Sequence, residues 1–268
     1  MIARYGLAAK KSLGQNFLLD LNLTARIARA AGNLDGINVI EIGPGPGGLT
    51  RALLDTDAKH VYAIERDSRC VEALQEMLGE NPHFTLTEGD ALETDPASLT
   101  PTPRAIVANL PYNIATPLLI GWLKKASDYQ SMTLMFQREV AERLTATPGS
   151  KAYGRLSVIA QWCANVERQF DIPPSAFTPP PKVTSTVVRF APHANQPDAA
   201  LFRAMENVTA AAFGQRRKML RQSLKALTPN AEALLQEAEL LPTARAEEID
   251  ISGFDRLAKL WLKKGTRP

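Results

Sequence analysis

The sequence predicts an α/β chain: a mostly parallel sheet with helices on both faces, followed by a small all-helical domain. Three observations carry this. Short apolar or β-branched runs alternate with helix-period segments up to residue 190. A glycine-rich turn, Gly43-Pro44-Gly45-Pro46-Gly47-Gly48, joins one such run to a helix. Beyond Pro197 the strand-like runs stop and only helical spacing remains.

Each element has its own local reason. Asp20 is placed to cap a helix through residue 31, which Gly32 ends. Residues 39–42 read as a strand, 48–54 as the start of a helix, 60–64 as a strand and 67–78 as a helix. Then come a strand at 84–86, a strand at 105–108, a helix at 117–125, a strand at 132–136 and a helix at 138–144. The apolar run 156–166 is read as a helix or a strand, with a helix favoured, and the β-branched run 183–190 as a strand. The breakers of 191–197 read as a linker. They divide the chain into a domain of residues 1–192 and one of 193–268, the latter with helices near 198–213, 215–226, 230–239 and 253–264.

Composition bounds the function. With 268 residues, 45% hydrophobic and 22% charged, the chain is neither disordered nor disulfide-stapled. It is long enough to bury roughly 70–75% of its unfolded surface. No apolar run nears the roughly 18–20 residues a membrane span needs, and the N-terminus lacks a signal peptide's apolar core. Two cysteines and three scattered histidines give no metal-ligand spacing. A cytoplasmic protein with no membrane partner is expected, and a monomer, since heptads are lacking. The net charge of +3 is unevenly placed: residues 1–195 carry 19 basic and 19 acidic groups, so all of it lies beyond them. Residues 203–225 hold six basic groups against Glu206 alone, a candidate contact for a polyanion.

The glycine turn lets a ligand approach the backbone, and Glu65, ending the next strand, is placed to accept from ribose hydroxyls. Pyrophosphate binding needs free N–H groups at the helix start, and Pro44 and Pro46 each remove one. The turn therefore suits a nucleoside cofactor without phosphate. A nicotinamide-dependent oxidoreductase is the alternative that the glycine spacing alone permits. The turn also reads Glu41-x-Gly43-x-Gly45-x-Gly47, like the first motif of Rossmann-like S-adenosylmethionine-dependent methyltransferases, and a nearby carboxylate favours a cationic sulfonium. Asp90, after a third strand, is placed to accept from an adenine amine.

After the fourth strand comes Asn109-Leu110-Pro111-Tyr112. Leu110 precedes proline and is held extended. Asn109 offers an amide, and Tyr112 a flat face for stacking. Together they grip a planar base withdrawn from its stack. The adenine N6 lone pair is delocalised into the ring. Acceptors from Asn109 and from the Leu110 or Pro111 carbonyl would bond both amine hydrogens and favour a pyramidal nitrogen. Transfer then rests on positioning and electrostatics, with no histidine base.

These residues resemble a known family. GQNFL (14–18), EIGPGPGGLT (41–50), AIERD (63–67), GDAL (89–92) and NLPYNI (109–114) are similar to the ribosomal RNA adenine dimethyltransferases. So are FQREVAERL (136–144), YGRLSV (153–158), FTPPPKVTSTVV (177–188) and FGQRRKMLRQSL (213–224). The later segments look more like the branch acting on small-subunit 16S rRNA than the erythromycin-resistance branch, which acts on large-subunit rRNA. The resemblance implies S-adenosylmethionine as cofactor and the small ribosomal subunit as partner. It implies two methyls on each of two adjacent adenines in a hairpin loop near the RNA 3′ end.

It also implies that Asn16 and Leu18 cover the methionine end of the cofactor, that Gly43 is the turn glycine, and that Glu65 and Asp90 take ribose and adenine. Asn109 would lie between cofactor and substrate, with Leu110, Pro111 and Tyr112 gripping the base and Phe177 as a second aromatic beside it. Arg216, Arg217, Lys218 and Arg221, with Lys10 and Lys11, would meet RNA phosphates. Leu13 departs from the aromatic many members carry there. An assembly factor in which methylation is secondary is the alternative from another class.

Overall fold

The computed structural model describes Leu7, Ala9 and residues 14–265; Lys10, Lys11 and Leu13 lie outside the described residues. The elements in order are β1 (Phe17–Leu18), α1 (Leu21–Ala30), β2 (Asn38–Ile42), α2 (Gly48–Leu54), β3 (His60–Glu65), α3 (Ser68–Leu78) and β4 (Phe84–Glu88). There follow α4 (Pro96–Leu99), β5 (Arg104–Ala108), α5 (Tyr112–Leu123), β6 (Ser131–Gln137), α6 (Arg138–Leu144), α7 (Arg155–Cys163) and β7 (Ala164–Ile172). The chain closes with β8 (Phe177–Thr178), β9 (Ser185–Pro192), α8 (Ala199–Gly214), α9 (Leu220–Ser223), α10 (Ala231–Glu237) and α11 (Ile251–Gly265).

Two compact units result: residues 1–141 with 167–192, and residues 142–166 with 193–268. The sequence boundary at 192 recurs, but 142–166 groups with the C-terminal helices instead of the first domain. Its side chains explain why. The Tyr153 hydroxyl donates to the Ile249 carbonyl at 2.9 Å, and the Trp162 indole donates to Asp255 at 3.0 Å. The Phe213 ring lies between those of Tyr153 and Phe254.

In the first unit the sheet order is β4-β3-β2-β5-β6-β9-β7. β4, β3, β2, β5 and β6 pair in parallel, but β9 runs antiparallel to β6. The sheet is thus mixed beyond β6. β7 corrects the reading of 156–166 as one helix. The apolar run ends with α7 at Cys163, and Ala164, Val166, Phe170 and Ile172 then alternate with exposed positions at period two.

α5 starts five residues earlier than Pro117 suggested. Pro111 supplies the extended cap at φ −57°, and Pro117 is carried inside the helix. The carbonyl Pro117 leaves unbonded belongs to Asn113, an exposed residue.

Strand order reverses at β2, whose neighbours are β3 and β5. In such sheets the crevice at the strand carboxyl ends, beside this reversal, is where ligands bind. The core beneath it is apolar and fully enclosed, with Ile27, Val39, Leu53, Ala105 and Val187.

Candidate active site

The carboxyl ends of β2, β3, β4 and β5 deliver Gly43, Glu65, Asp90 and Asn109 to one cleft. Its wall also includes Asn16, Leu18, Glu41, Leu110, Pro111 and Tyr112. Every cofactor and base-grip residue expected from the sequence lines it except Phe177. That ring is 3% exposed, in β8 opposite Leu18, within the core cluster. Phe177 thus packs behind Leu18, a cleft-wall residue, and does not itself line the cleft.

The first five positions of the glycine turn have their N–H groups occupied or absent. Gly43 N donates to the Ile64 carbonyl at 2.9 Å, Gly45 N to Glu65 Oε2 at 2.9 Å, and Gly47 N to the Pro44 carbonyl at 3.0 Å. Pro44 and Pro46 have no N–H. Positions 43–47 therefore leave no free N–H, and donors toward a ligand begin only at Gly48, where α2 starts. Gly43 is held at φ +66°, where a side chain is strained. Gly48 is needed for space: a Cβ there would stand 2.4 Å from the Leu18 carbonyl oxygen.

Glu65 is fixed by three backbone donors, Gly45 to one oxygen and Arg66 and Asp67 to the other, each at 2.8–2.9 Å. Burial raises its pKa; the three N–H groups oppose the rise, and the Asp67 charge adds to it. Glu41 is 1% exposed, and its Oε2 has no hydrogen-bond partner. Burial pushes its carboxyl to about 8; the nearby Thr50 hydroxyl opposes this and the Glu65 charge adds to it. Glu41 is therefore largely protonated near neutrality, which sequence reasoning, treating it as a carboxylate, missed. Asp90 pairs with Arg66 at 2.8 Å and accepts from Leu92 N at 2.9 Å.

The segment 14–18 forms one cleft wall. The Gln15 amide donates to Asp67 at 3.1 Å, and the Asp67 carboxyl is held at about 2, chiefly by its bond to Arg69. Asn109 Nδ2 donates to the Asn16 carbonyl at 3.1 Å. This fixes the amide so that Oδ1 is the open acceptor. The Pro111 carbonyl already accepts from Ile114 N and Ala115 N, both at 3.1 Å, in the first turn of α5. Among the described residues nothing donates to the Leu110 carbonyl. Of the two carbonyls that the sequence left open, Leu110 is the available one.

The basic stretch of the second unit is not one helix. Residues 215–218 form a turn before α9, which spans only four residues. Arg216 pairs with Glu247 at 2.7 Å and donates to the Lys151 carbonyl at 2.7 Å. Arg221 lies 3.4 Å from Glu232. Arg217 and Lys218 are exposed, and no ion pair holds either among the described residues.

A family model described as ribosomal RNA adenine dimethylase matches residues 6–263. The chain is 58% identical to the ribosomal RNA small subunit methyltransferase A of Gluconobacter oxydans, over 97% of this chain and 85% of that protein. It is 60% identical to the protein of that name from Rhodospirillum rubrum, over 97% and 90%. Among solved structures it is similar to a dimethyladenosine transferase from Plasmodium falciparum, at 27% identity and TM-score 0.76, covering 93% of this chain and 98% of that one. The 23S rRNA methyltransferase ErmE is 29% identical with TM-score 0.70, over 91% and 99%.

Proposed function

The chain belongs to the ribosomal RNA adenine dimethylase family, whose members are S-adenosylmethionine-dependent methyltransferases, and from that premise we propose that it dimethylates N6 of two adjacent adenosines of small-subunit 16S rRNA. The relatives at 58–60% identity are named for the small subunit, whereas the large-subunit enzyme is 29% identical. The reading places the protein in the cytoplasm, acting as a monomer on ribosomal subunits. Among the described residues no helix is long and apolar enough to cross a membrane.

The cleft fits S-adenosylmethionine. Among the described residues it carries the acids Glu65 and Asp90 and the buried carboxyl Glu41 against one base, Arg66, which is paired with Asp90, and positions 43–47 of its glycine turn leave no free N–H for phosphate. Gly43 would admit the ligand to the backbone, Glu65 would hold the ribose, Asp90 the adenine, and Asn16 and Leu18 would cover the methionine end. When bound, the sulfonium supplies an electrophilic methyl.

The carrying observation is the oriented Asn109 amide beside the open Leu110 carbonyl. These two acceptors take the two hydrogens of an adenine amine and draw its lone pair out of conjugation. The Tyr112 ring stacks on the base. Burial raises the Tyr112 pKa, with the Ser185 hydroxyl opposing, so the ring stays neutral. A monomethylated amine keeps one hydrogen for the same grip, which allows a second transfer. Arg217 and Lys218 provide phosphate contacts that position the RNA without selecting sequence.

The test is transfer from labelled S-adenosylmethionine to small subunits lacking the modification, with nucleosides identified by mass. The expected product is N6,N6-dimethyladenosine, formed about 100-fold more slowly with Asn109→Ala. Product on large-subunit RNA alone would place the chain in the other branch. No transfer to either RNA would favour an assembly factor.

A further inference from the structure

Ser185 is the first residue of β9, and its side chain is fully buried. Its Oγ lies 2.5 Å from the Tyr112 hydroxyl, across 73 positions of sequence. A hydroxyl taken out of water is destabilising unless it is hydrogen-bonded. Among the described residues Tyr112 is the only side-chain partner of Ser185. The bond is therefore what accounts for a serine at that position.

The location of Ser185 is fixed independently of the cleft. It pairs with Gln137 across the antiparallel β6–β9 ladder, and the preceding Thr184 carbonyl accepts from Arg138 N at 2.9 Å. Tyr112, by contrast, stands in the first turn of α5, half-buried on the cleft wall. A tyrosine ring held only at its Cβ turns about χ1 and χ2. A bond at the para-hydroxyl holds the far end as well, and with both ends held the plane of the ring is set.

We infer that Ser185 is a positioning residue for methyl transfer, anchoring the Tyr112 hydroxyl to the sheet so that the ring presents one fixed face to the target base. This rests on the reading of Tyr112 as the ring that stacks on that base. Sequence spacing gives no hint of it, because nothing in VTSTVV singles out the serine from its threonine neighbours.

The test compares Ser185→Ala, Tyr112→Phe, the double variant and Tyr112→Ala in the full chain. The substrates are labelled S-adenosylmethionine and unmodified small subunits, and cofactor affinity and melting temperature are measured alongside. Losing the anchor misplaces the ring without removing it. Ser185→Ala and Tyr112→Phe are each expected to lower kcat about tenfold, since small misplacements at a reacting centre are amplified in rate. Cofactor affinity should be unchanged, and the double variant no slower than either single one. Loss that tracks a fall in cofactor affinity or melting temperature would show a merely structural serine and overturn the inference. So would losses that multiply in the double variant, or wild-type kcat in Ser185→Ala. If Ser185→Ala is wild-type while Tyr112→Ala is inactive, only the anchor fails. If Tyr112→Ala itself turns over normally, the stacking reading fails with it.

Discussion

Replacing Glu41 by glutamine removes one ionisation and almost no volume, so it isolates the electrostatics of the cleft. The carboxyl is 1% exposed, one oxygen is unpartnered, and its pKa rises from 4.5 to about 8. Below pH 4.5 both folded and unfolded chains hold the proton, and the group contributes no pH dependence. Between 4.5 and 8 the unfolded chain releases it while the folded chain retains it, so stability falls as pH rises. Above 8 both are ionised and the penalty levels off. Each pH unit in that window is worth about 1.4 kcal/mol, so wild type should lose about 5 kcal/mol relative to Glu41→Gln between pH 4.5 and 8. Urea unfolding of the cofactor-free proteins from pH 4.5 to 9 measures this directly. Curves that stay parallel to within about 1 kcal/mol would refute the argument. The same group makes a second reading possible. A bound sulfonium favours the ionised form, so cofactor binding at pH 7 should release a proton from wild type and none from the variant. Calorimetry in buffers of different ionisation heat reads that difference.

Other substitutions separate roles that the sequence had run together. Asn109→Ala should keep its fold and lower transfer by about 100-fold, because it removes an oriented acceptor at the reacting amine; single-turnover labelling checks this. Gly48→Ala drives a Cβ to 2.4 Å from the Leu18 carbonyl, so β1 must shift; about 2 kcal/mol of lost stability and weaker cofactor binding are expected, by thermal melting and titration. Arg217→Ala or Lys218→Ala should each reduce the salt dependence of small-subunit binding by about one counterion, leaving stability unchanged. Arg216→Ala should instead lower the melting temperature, because that guanidinium joins Glu247 to the Lys151 carbonyl.

The cleft was legible because its chemistry sits where strands end. Gly43, Glu65, Asp90 and Asn109 each follow a short apolar run, and parallel strands bring such positions to one edge. What escaped the sequence depends on contacts between distant segments. Nothing local shows that Asn109 donates to the Asn16 carbonyl, 93 positions away, or that α5 begins early enough to occupy the Pro111 carbonyl. That Phe177 packs behind Leu18 depends on the two-residue pairing of β8 with β1, which no motif announces. The helix expected at 215–226 gave way to a turn, since Arg216 is drawn toward Glu247 and the Lys151 carbonyl.

The prolines of the glycine turn acquire a fuller meaning once Glu65 is seen to occupy Gly45 N. A dinucleotide pyrophosphate would have to take that N–H from a carboxylate already 6% exposed. Stranding a buried charged acceptor costs about 1–3 kcal/mol or more, and the incoming phosphate would then face the Glu65 charge across the same turn. One recovered donor does not offset both. Within 43–47 the prolines remove two donors, Gly43 and Gly47 bond to carbonyls of the chain, and Glu65 takes Gly45 N. Discrimination against phosphate at positions 43–47 is thus a property of that stretch together with the acid that follows it. Replacing either proline alone would restore an N–H without freeing Gly45, and should not convert the cleft to a dinucleotide site.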